Sequence, residues 1–161
     1  MVKDLNQLPL RSGVGIIILN KYNKVFVAKR IDNPKNFWQM PQGGVDDGEE
    51  FLKAAYRELE EETSIKNVEL IKELDGTLTY ELPSHLLGII WKGKYRGQKQ
   101  KWFLMKFIGE DNEINIKTKN QNFWIGNGLT LIKSQMLWSI LSYIFIKSFR
   151  KKLKKLLIKR S

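Results

Sequence analysis

Six consecutive residues, Arg57-Glu58-Leu59-Glu60-Glu61-Glu62, concentrate more potential chemistry than any other stretch of this sequence. On a helix, Glu58, Glu61 and Glu62 stand at i, i+3 and i+4 and so share one face. Like charges at that spacing repel, and the negative end of the helix macrodipole adds a second penalty near the C-terminus. A divalent cation turns both penalties into attraction, because carboxylate oxygens are the ligands that hard cations take. A solvated acidic face is the alternative. Against it stands the stretch Gly43-Gly44-Val45-Asp46-Asp47-Gly48, which leads into the same helix and brings backbone groups beside the carboxylates.

Composition removes competing chemistries. The 161 residues are 42% hydrophobic, enough for one domain with a real core and too apolar for a disordered chain. There is no Cys, which excludes disulfides, thiolate nucleophiles and Cys-ligated metals. His85 is the only histidine, which argues against a His-based metal site or a catalytic triad; beside Pro83-Ser84 it reads as a surface residue. Any metal is therefore expected on oxygen ligands, as Mg2+ or another divalent cation such as Mn2+. The opening MVKDLNQLPLRSGVG has no apolar core of a secretory signal, so the expected compartment is the cytoplasm.

The elements that must position the carboxylates follow from hydrophobic periodicity. Residues 13–19 and 24–29 read as a hairpin around Asn20-Lys21-Tyr22-Asn23, residues 30–36 as a loop, and 38–41 as an extended piece that Pro41 keeps out of a central ladder. Residues 43–48 read as a tight turn and 49–62 as a helix, with Phe51, Leu52, Ala55, Tyr56 and Leu59 as its buried stripe and Thr63-Ser64 as its end. Strands are expected at 68–74, 78–82 and 101–108, with a turn at Gly97-Gln98-Lys99-Gln100. Strands on both sides of one long helix imply an α/β fold, a mixed sheet covered by helices.

The spacing Gly43, Glu49, Arg57-Glu58-Leu59, Glu61-Glu62, Ser64-Ile65 resembles the Nudix box, a loop–helix–loop signature of hydrolases of nucleoside diphosphates linked to another moiety. Ser64 departs from it by standing where the pattern has Gly, a change a helix end tolerates at modest cost. The resemblance implies an α/β/α sandwich around a mixed sheet. It also implies that Glu58, Glu61 and Glu62 bind divalent metal, with one of them activating water, that the Gly43 carbonyl contacts the metal, and that Arg57 and Glu49 brace loop and helix.

Outside the box, Phe37-Trp38-Gln39-Met40-Pro41-Gln42-Gly43-Gly44, Tyr80-Glu81-Leu82-Pro83 and Gly97-Gln98-Lys99-Gln100-Lys101-Trp102-Phe103 resemble the RNA pyrophosphohydrolase and dinucleoside polyphosphate hydrolase branch. The likeness covers roughly residues 8–121 and implies removal of pyrophosphate from the 5′-triphosphate end of RNA, promoting its decay. Hydrolysis of dinucleoside polyphosphates by the same centre is the alternative. Arg11, Lys29, Arg30, Gln42, Tyr80, Lys99 and Lys101 are the expected substrate-binding residues, the basic ones as a phosphate clamp and Tyr80 as a base-stacking ring. Trp102 reads as core first and as a stacking residue second, Trp38 as a pin for the glycine loop. No DNA partner is implied, and the residues do not set an oligomeric state.

Charge divides the chain unevenly. Of the net +11, residues 122–161 carry nine Lys/Arg and no acid, while 1–121 hold 19 basic against 17 acidic groups. The expected organisation is thus a core over 1–121 followed by an atypical basic tail. As written, that tail would be an arm for RNA or an interfacial helix on anionic lipid, making the chain a catalytically impaired binding protein. A second explanation is a shifted reading frame. Synonymous codons for residues 121–141 can be chosen so that another frame reads E-F-L-D-W-K-W-I-D-P-D-K-I-T-N-V-V-V-D-F, similar to the ending of the family. The coding DNA decides, since the idea fails if no shifted frame encodes that string.

Overall fold

The computed structural model describes residues 5–30, 38–116, 123–124 and 131–132. The apolar run near the start folds as β1 (Leu10–Leu19). Asn20 ends it: its Oδ1 accepts the N–H groups of Tyr22 and Lys24, both at 3.0 Å. β2 (Val25–Phe26) then returns antiparallel, with Val25 opposite Leu19. The expected hairpin forms, but its second strand divides. β3 (Ala28–Arg30) leaves to pair β4 (Trp38–Gln39) in a separate small sheet. Pro41, lacking an N–H, separates β4 from β5 (Gln42–Gly44), although its carbonyl still accepts the N–H of Ile16 at 2.9 Å.

α1 (Phe51–Thr63) follows, then β6 (Val68–Glu73), β7 (Leu78–Glu81), β8 (Gly97–Phe107), β9 (Phe123–Trp124) and β10 (Leu131–Ile132). The helix ends as the sequence suggests. Ser64 takes the left-handed conformation at φ 60°, and its N–H closes on the Glu60 carbonyl at 2.8 Å. Thr63 Oγ1 donates to the Leu59 carbonyl and accepts the N–H of Ile65, completing the cap.

The large sheet runs β10-β2-β1-β8-β6, with β5 also on β1 and β7 also on β8, while β4, β3 and β9 form the small one. β1 and β8 are parallel from the pair Leu10–Gly97 to Leu19–Lys106, and the other described pairings are antiparallel, which makes the sheet mixed. Val14, Ile16 and Ile18 of β1 and Phe103, Met105 and Phe107 of β8 pack with Ala54, Ala55 and Leu59 of α1. Ile17 and Leu104 point the other way yet are only 1% and 3% exposed, so the sheet is covered on both faces, as a sandwich requires. Among the described residues α1 is the one α-helix, and the second helical layer expected from the resemblance is not among them.

Three expectations are corrected. Gly97-Gln98-Lys99-Gln100 is not a turn but the first third of β8; its polar residues looked like a loop, yet Gln98 and Gln100 are buried and hydrogen-bonded. Gly43-Gly44 belongs to β5, opposite Val14 and Gly13, so the turn is confined to the residues after it. The buried stripe of α1 is Ala54, Ala55, Leu59, Glu62 and Thr63, whereas Phe51 and Tyr56 are more than a third exposed. Small Ala54 and Ala55 let the helix lie close on the sheet, which turns the larger rings outward.

Candidate functional site

The loop before α1 and the helix itself are locked by one arginine. Arg57 Nε and Nη2 donate to the two carboxylate oxygens of Glu49 at 2.9 and 2.7 Å, a forked pair. Nη2 also donates to the Gly44 carbonyl at 2.9 Å, and Glu49 Oε2 accepts the N–H of Asp46 at 3.0 Å. Turn, strand end and helix are thereby tied at one point. The hydrogen bonds from Arg57 and the Asp46 N–H hold the Glu49 carboxyl at about 2, against an ordinary 4.5, and the guanidinium is raised in turn by Glu49. Because the folded value lies below the unfolded one, the pair's stabilisation is present above about pH 4.5 and fades as pH falls towards 2. Urea unfolding of wild type and Glu49→Gln should thus show a clear gap at pH 7 that narrows at pH 3; a gap independent of pH would refute the linkage.

Arg57 also reaches into the acidic face. Its Nη1 lies 3.0 Å from Glu58 Oε1 and 3.5 Å from Glu61 Oε2. Glu62 is 3% exposed, and its Oε2 accepts the N–H of Gln42 at 3.1 Å, joining helix to β5. Burial raises the pKa of Glu58, Arg57 opposes that by hydrogen bond and charge, Glu61 adds to the rise and Arg11 lowers it. Gly43 leaves room for the Glu58 carboxylate, which a Cβ at that position would overlap.

Gly43, Glu58, Glu61 and Glu62 line one cleft of about 560 Å³ together with Arg11, Tyr80, Gln98 and Trp91. Its donors are carboxylate and carbonyl oxygens, the set that a hard divalent cation takes. Among the described residues no three acidic side chains are already closed into a cage; Glu58 and Glu61 share Arg57 instead.

The expected substrate residues separate. Arg11, Gln42 and Tyr80 line the cleft. Lys99 and Lys101 do not: the pleat of β8 turns them away from buried Gln98 and Gln100, Lys101 pairs with Glu73, and its Nζ lies 5.6 Å from the Phe51 ring centre. The side chains of Lys29, Arg30 and Trp38 lie outside what is described, as does the tail beyond Ile132. Trp102 is core, 3% exposed and packed where a Cβ on Gly15 would fall. His85 is exposed in a short 3-10 turn.

Gln98 and Trp91 are among the cleft residues not expected from the sequence. Gln98 accepts the Tyr80 hydroxyl at 2.7 Å and donates to the Gly43 carbonyl at 3.3 Å, so it links β7 to β5. Trp91 lies under the guanidinium of Arg11. The signal for both was the mixture of aromatic, basic and amide residues over 91–100, a composition seen at phosphate- and base-binding surfaces.

The NUDIX domain profile matches residues 9–124. An RNA pyrophosphohydrolase of Pelagibacter ubique is 79% identical over 116 residues, 72% of this chain and 73% of that protein. The RNA pyrophosphohydrolase of Sphingopyxis alaskensis is 47% identical over 131 residues, 78% and 83% of the two chains. Among solved structures, the binary complex of a Caenorhabditis elegans Ap4A hydrolase superposes with a TM-score of 0.62 at 19% identity, covering 91% of this chain and 98% of that one. The Escherichia coli dihydroneopterin triphosphate pyrophosphohydrolase gives 0.59 at 24% identity, with 84% and 97% covered. At those identities the structures share the fold alone. A profile that matches residues 9–124, most of the chain and all of the cleft just described, establishes that the chain belongs to the NUDIX family.

Proposed function

We propose that this chain is an RNA 5′-pyrophosphohydrolase, removing pyrophosphate from the 5′-triphosphate end of RNA and leaving a 5′-monophosphate that exposes the RNA to decay. One observation of the structure carries the reading: Glu58, Glu61 and Glu62 line a single cleft together with Arg11 and Tyr80. Relatives at 47% to 79% identity that are RNA pyrophosphohydrolases support this choice of substrate.

NUDIX hydrolases generally need divalent cations, and here we assign Mg2+, or Mn2+, to Glu58, Glu61, Glu62 and the Gly43 carbonyl. When bound, such a cation neutralises phosphate charge and makes water acidic. Water adds to a phosphorus of the triphosphate, the anhydride bond breaks, and pyrophosphate departs as one of the three carboxylates accepts the water proton. Arg57, fixed by Glu49, keeps that face of α1 aligned with β5. Arg11 offers forked donors to the phosphates, and Gln42 lies beside the acidic face, its side chain fixed by Gln100 Nε2 at 2.9 Å.

In this proposal residues 1–121 form the catalytic core, working in the cytoplasm, and 122–161 a basic tail; the profile's end at residue 124 supports a boundary near there. Dinucleoside polyphosphates are the second substrate class, because the same centre cleaves the same linkage. Among the described residues no helix is long and apolar enough to cross a membrane.

The test is release of pyrophosphate and orthophosphate, with magnesium, from 5′-triphosphorylated RNA and a dinucleoside tetraphosphate in parallel. Preferential pyrophosphate release from RNA that stops on chelation supports the proposal. Preference for the dinucleotide moves the assignment to the second class. Metal-independent binding that fades with salt and ignores the 5′ end indicates a binding protein working through its tail.

A further inference from the structure

The cleft has apolar lining residues that hydrolysis of a phosphate anhydride does not itself need. Leu82, Ile90 and Trp91 line it along with Tyr80 and Arg11. Trp91 is set there by costly backbone. It and Lys92 take left-handed conformations at φ 52° and 58°, which residues bearing a Cβ seldom adopt. Gly93 follows at φ 67°, where a Cβ would overlap the Gly88 carbonyl, so the loop closes on itself there. Tyr95 stands edge-on to the indole at 6.3 Å between ring centres and steadies it. The guanidinium of Arg11 rests over the ring, 5.6 Å from its centre. Among the described residues Arg11 has no salt bridge, although it lies close enough to Glu58 to lower that carboxyl's pKa. Strained backbone that aims an aromatic face into a cleft, with an unbridged cation over it, is the arrangement expected where a flat ligand bearing negative charge is taken up.

We propose that Trp91 is the stacking residue for the nucleobase of the polyphosphate-bearing nucleotide, and that Arg11 is held on its face until the base arrives. The base takes the place of the guanidinium on the indole, and Arg11 turns to the phosphates. The cleft's volume of about 560 Å³ suits one nucleotide. Tyr80, expected from the sequence to stack, has its hydroxyl committed to Gln98 and serves as the side wall. The assignment rests on the proposed function for its polyphosphate, but the base site is tested without turnover.

Calorimetry with magnesium, using α,β-methylene adenosine triphosphate and inorganic tripolyphosphate as probes, compares wild type, Trp91→Ala and Trp91→Phe. Wild type should bind the nucleotide about tenfold more tightly than tripolyphosphate. Trp91→Ala should lose that preference while keeping its tripolyphosphate affinity, and Trp91→Phe should retain most of it. Equal weakening of both probes in Trp91→Ala would make Trp91 a structural brace and overturn the proposal. So would the absence of any nucleotide preference in wild type. In turnover of triphosphorylated RNA, Trp91→Ala should raise KM about tenfold and leave kcat within about threefold, whereas an RNA whose first nucleotide is abasic should not distinguish the variant from wild type. A nucleotide preference that depends on Trp91, in a chain that cleaves no RNA, would leave this proposal standing and remove the functional one.

Discussion

Glu61→Gln should lower kcat on 5′-triphosphorylated RNA by about a thousandfold while leaving the thermal unfolding midpoint nearly unchanged. The substitution keeps shape and removes one negative charge from the acidic face. Glu61 is the most exposed of the three carboxylates, 39% at its side chain, and its contact to Arg57 is long at 3.5 Å, so the fold depends on it little. The proposed function depends on it heavily, since charge on the departing pyrophosphate must be neutralised by a cation held on these oxygens. Glu60→Gln is the matched control. Glu60 points to solvent and pairs with Lys66 at 2.8 Å, so its loss should leave kcat within about twofold. Equal activity in wild type and Glu61→Gln, measured at saturating magnesium, would remove the metal centre from this face of the helix.

The second large effect is expected at a residue with no side chain. A Cβ at position 43 meets the end of Glu58, a flexible group that swings aside at little cost to folding. Gly43→Ala should therefore fold with a near-normal melting temperature and still lose about a hundredfold in kcat, with a higher magnesium concentration needed for half-maximal rate. The displaced group is one proposed ligand, and the carbonyl beside the new methyl is another. Position 15 behaves differently, because a Cβ there enters the Trp102 ring inside the packed core, where nothing yields. If Gly43→Ala retains full activity, Glu58 does not act from beside the Gly43 backbone.

Much of this site was legible in the sequence because it is local. Glu49, Arg57 and the three carboxylates fall within one turn and one helix, so their spacing alone fixes which face they share. The helix end at Thr63-Ser64 was readable for the same reason. What failed depended on distant partners. Gln98 and Gln100 look like loop residues until Gly43, Tyr80 and Gln42 are there to satisfy their amides, and Lys99 and Lys101 look like a clamp until the pleat of β8 assigns them to the wrong face. Phe51 and Tyr56 fitted a helical stripe, but Ala54 and Ala55 meet the sheet, a choice made by the closeness of packing rather than by hydrophobicity. Trp91 was hidden by backbone geometry that no periodicity encodes.

The parallel pairing of β1 with β8 has a kinetic consequence. The strands meet in register over nearly their whole length, yet about ninety residues of chain separate each pair. No hairpin can nucleate such a ladder, and the entropy of closing so long a loop must be met before any of its contacts forms. Arg11 sits at one end of β1 and Gln98 at the matching end of β8, opposite each other. The cleft therefore cannot exist in a nascent chain that has reached only the acidic helix. The brace of Glu49 and Arg57 can form early, from local sequence, while Gln98 joins the cleft only with the last central strand. Refolding should accordingly show helix signal before the slow step, and substrate binding only after it.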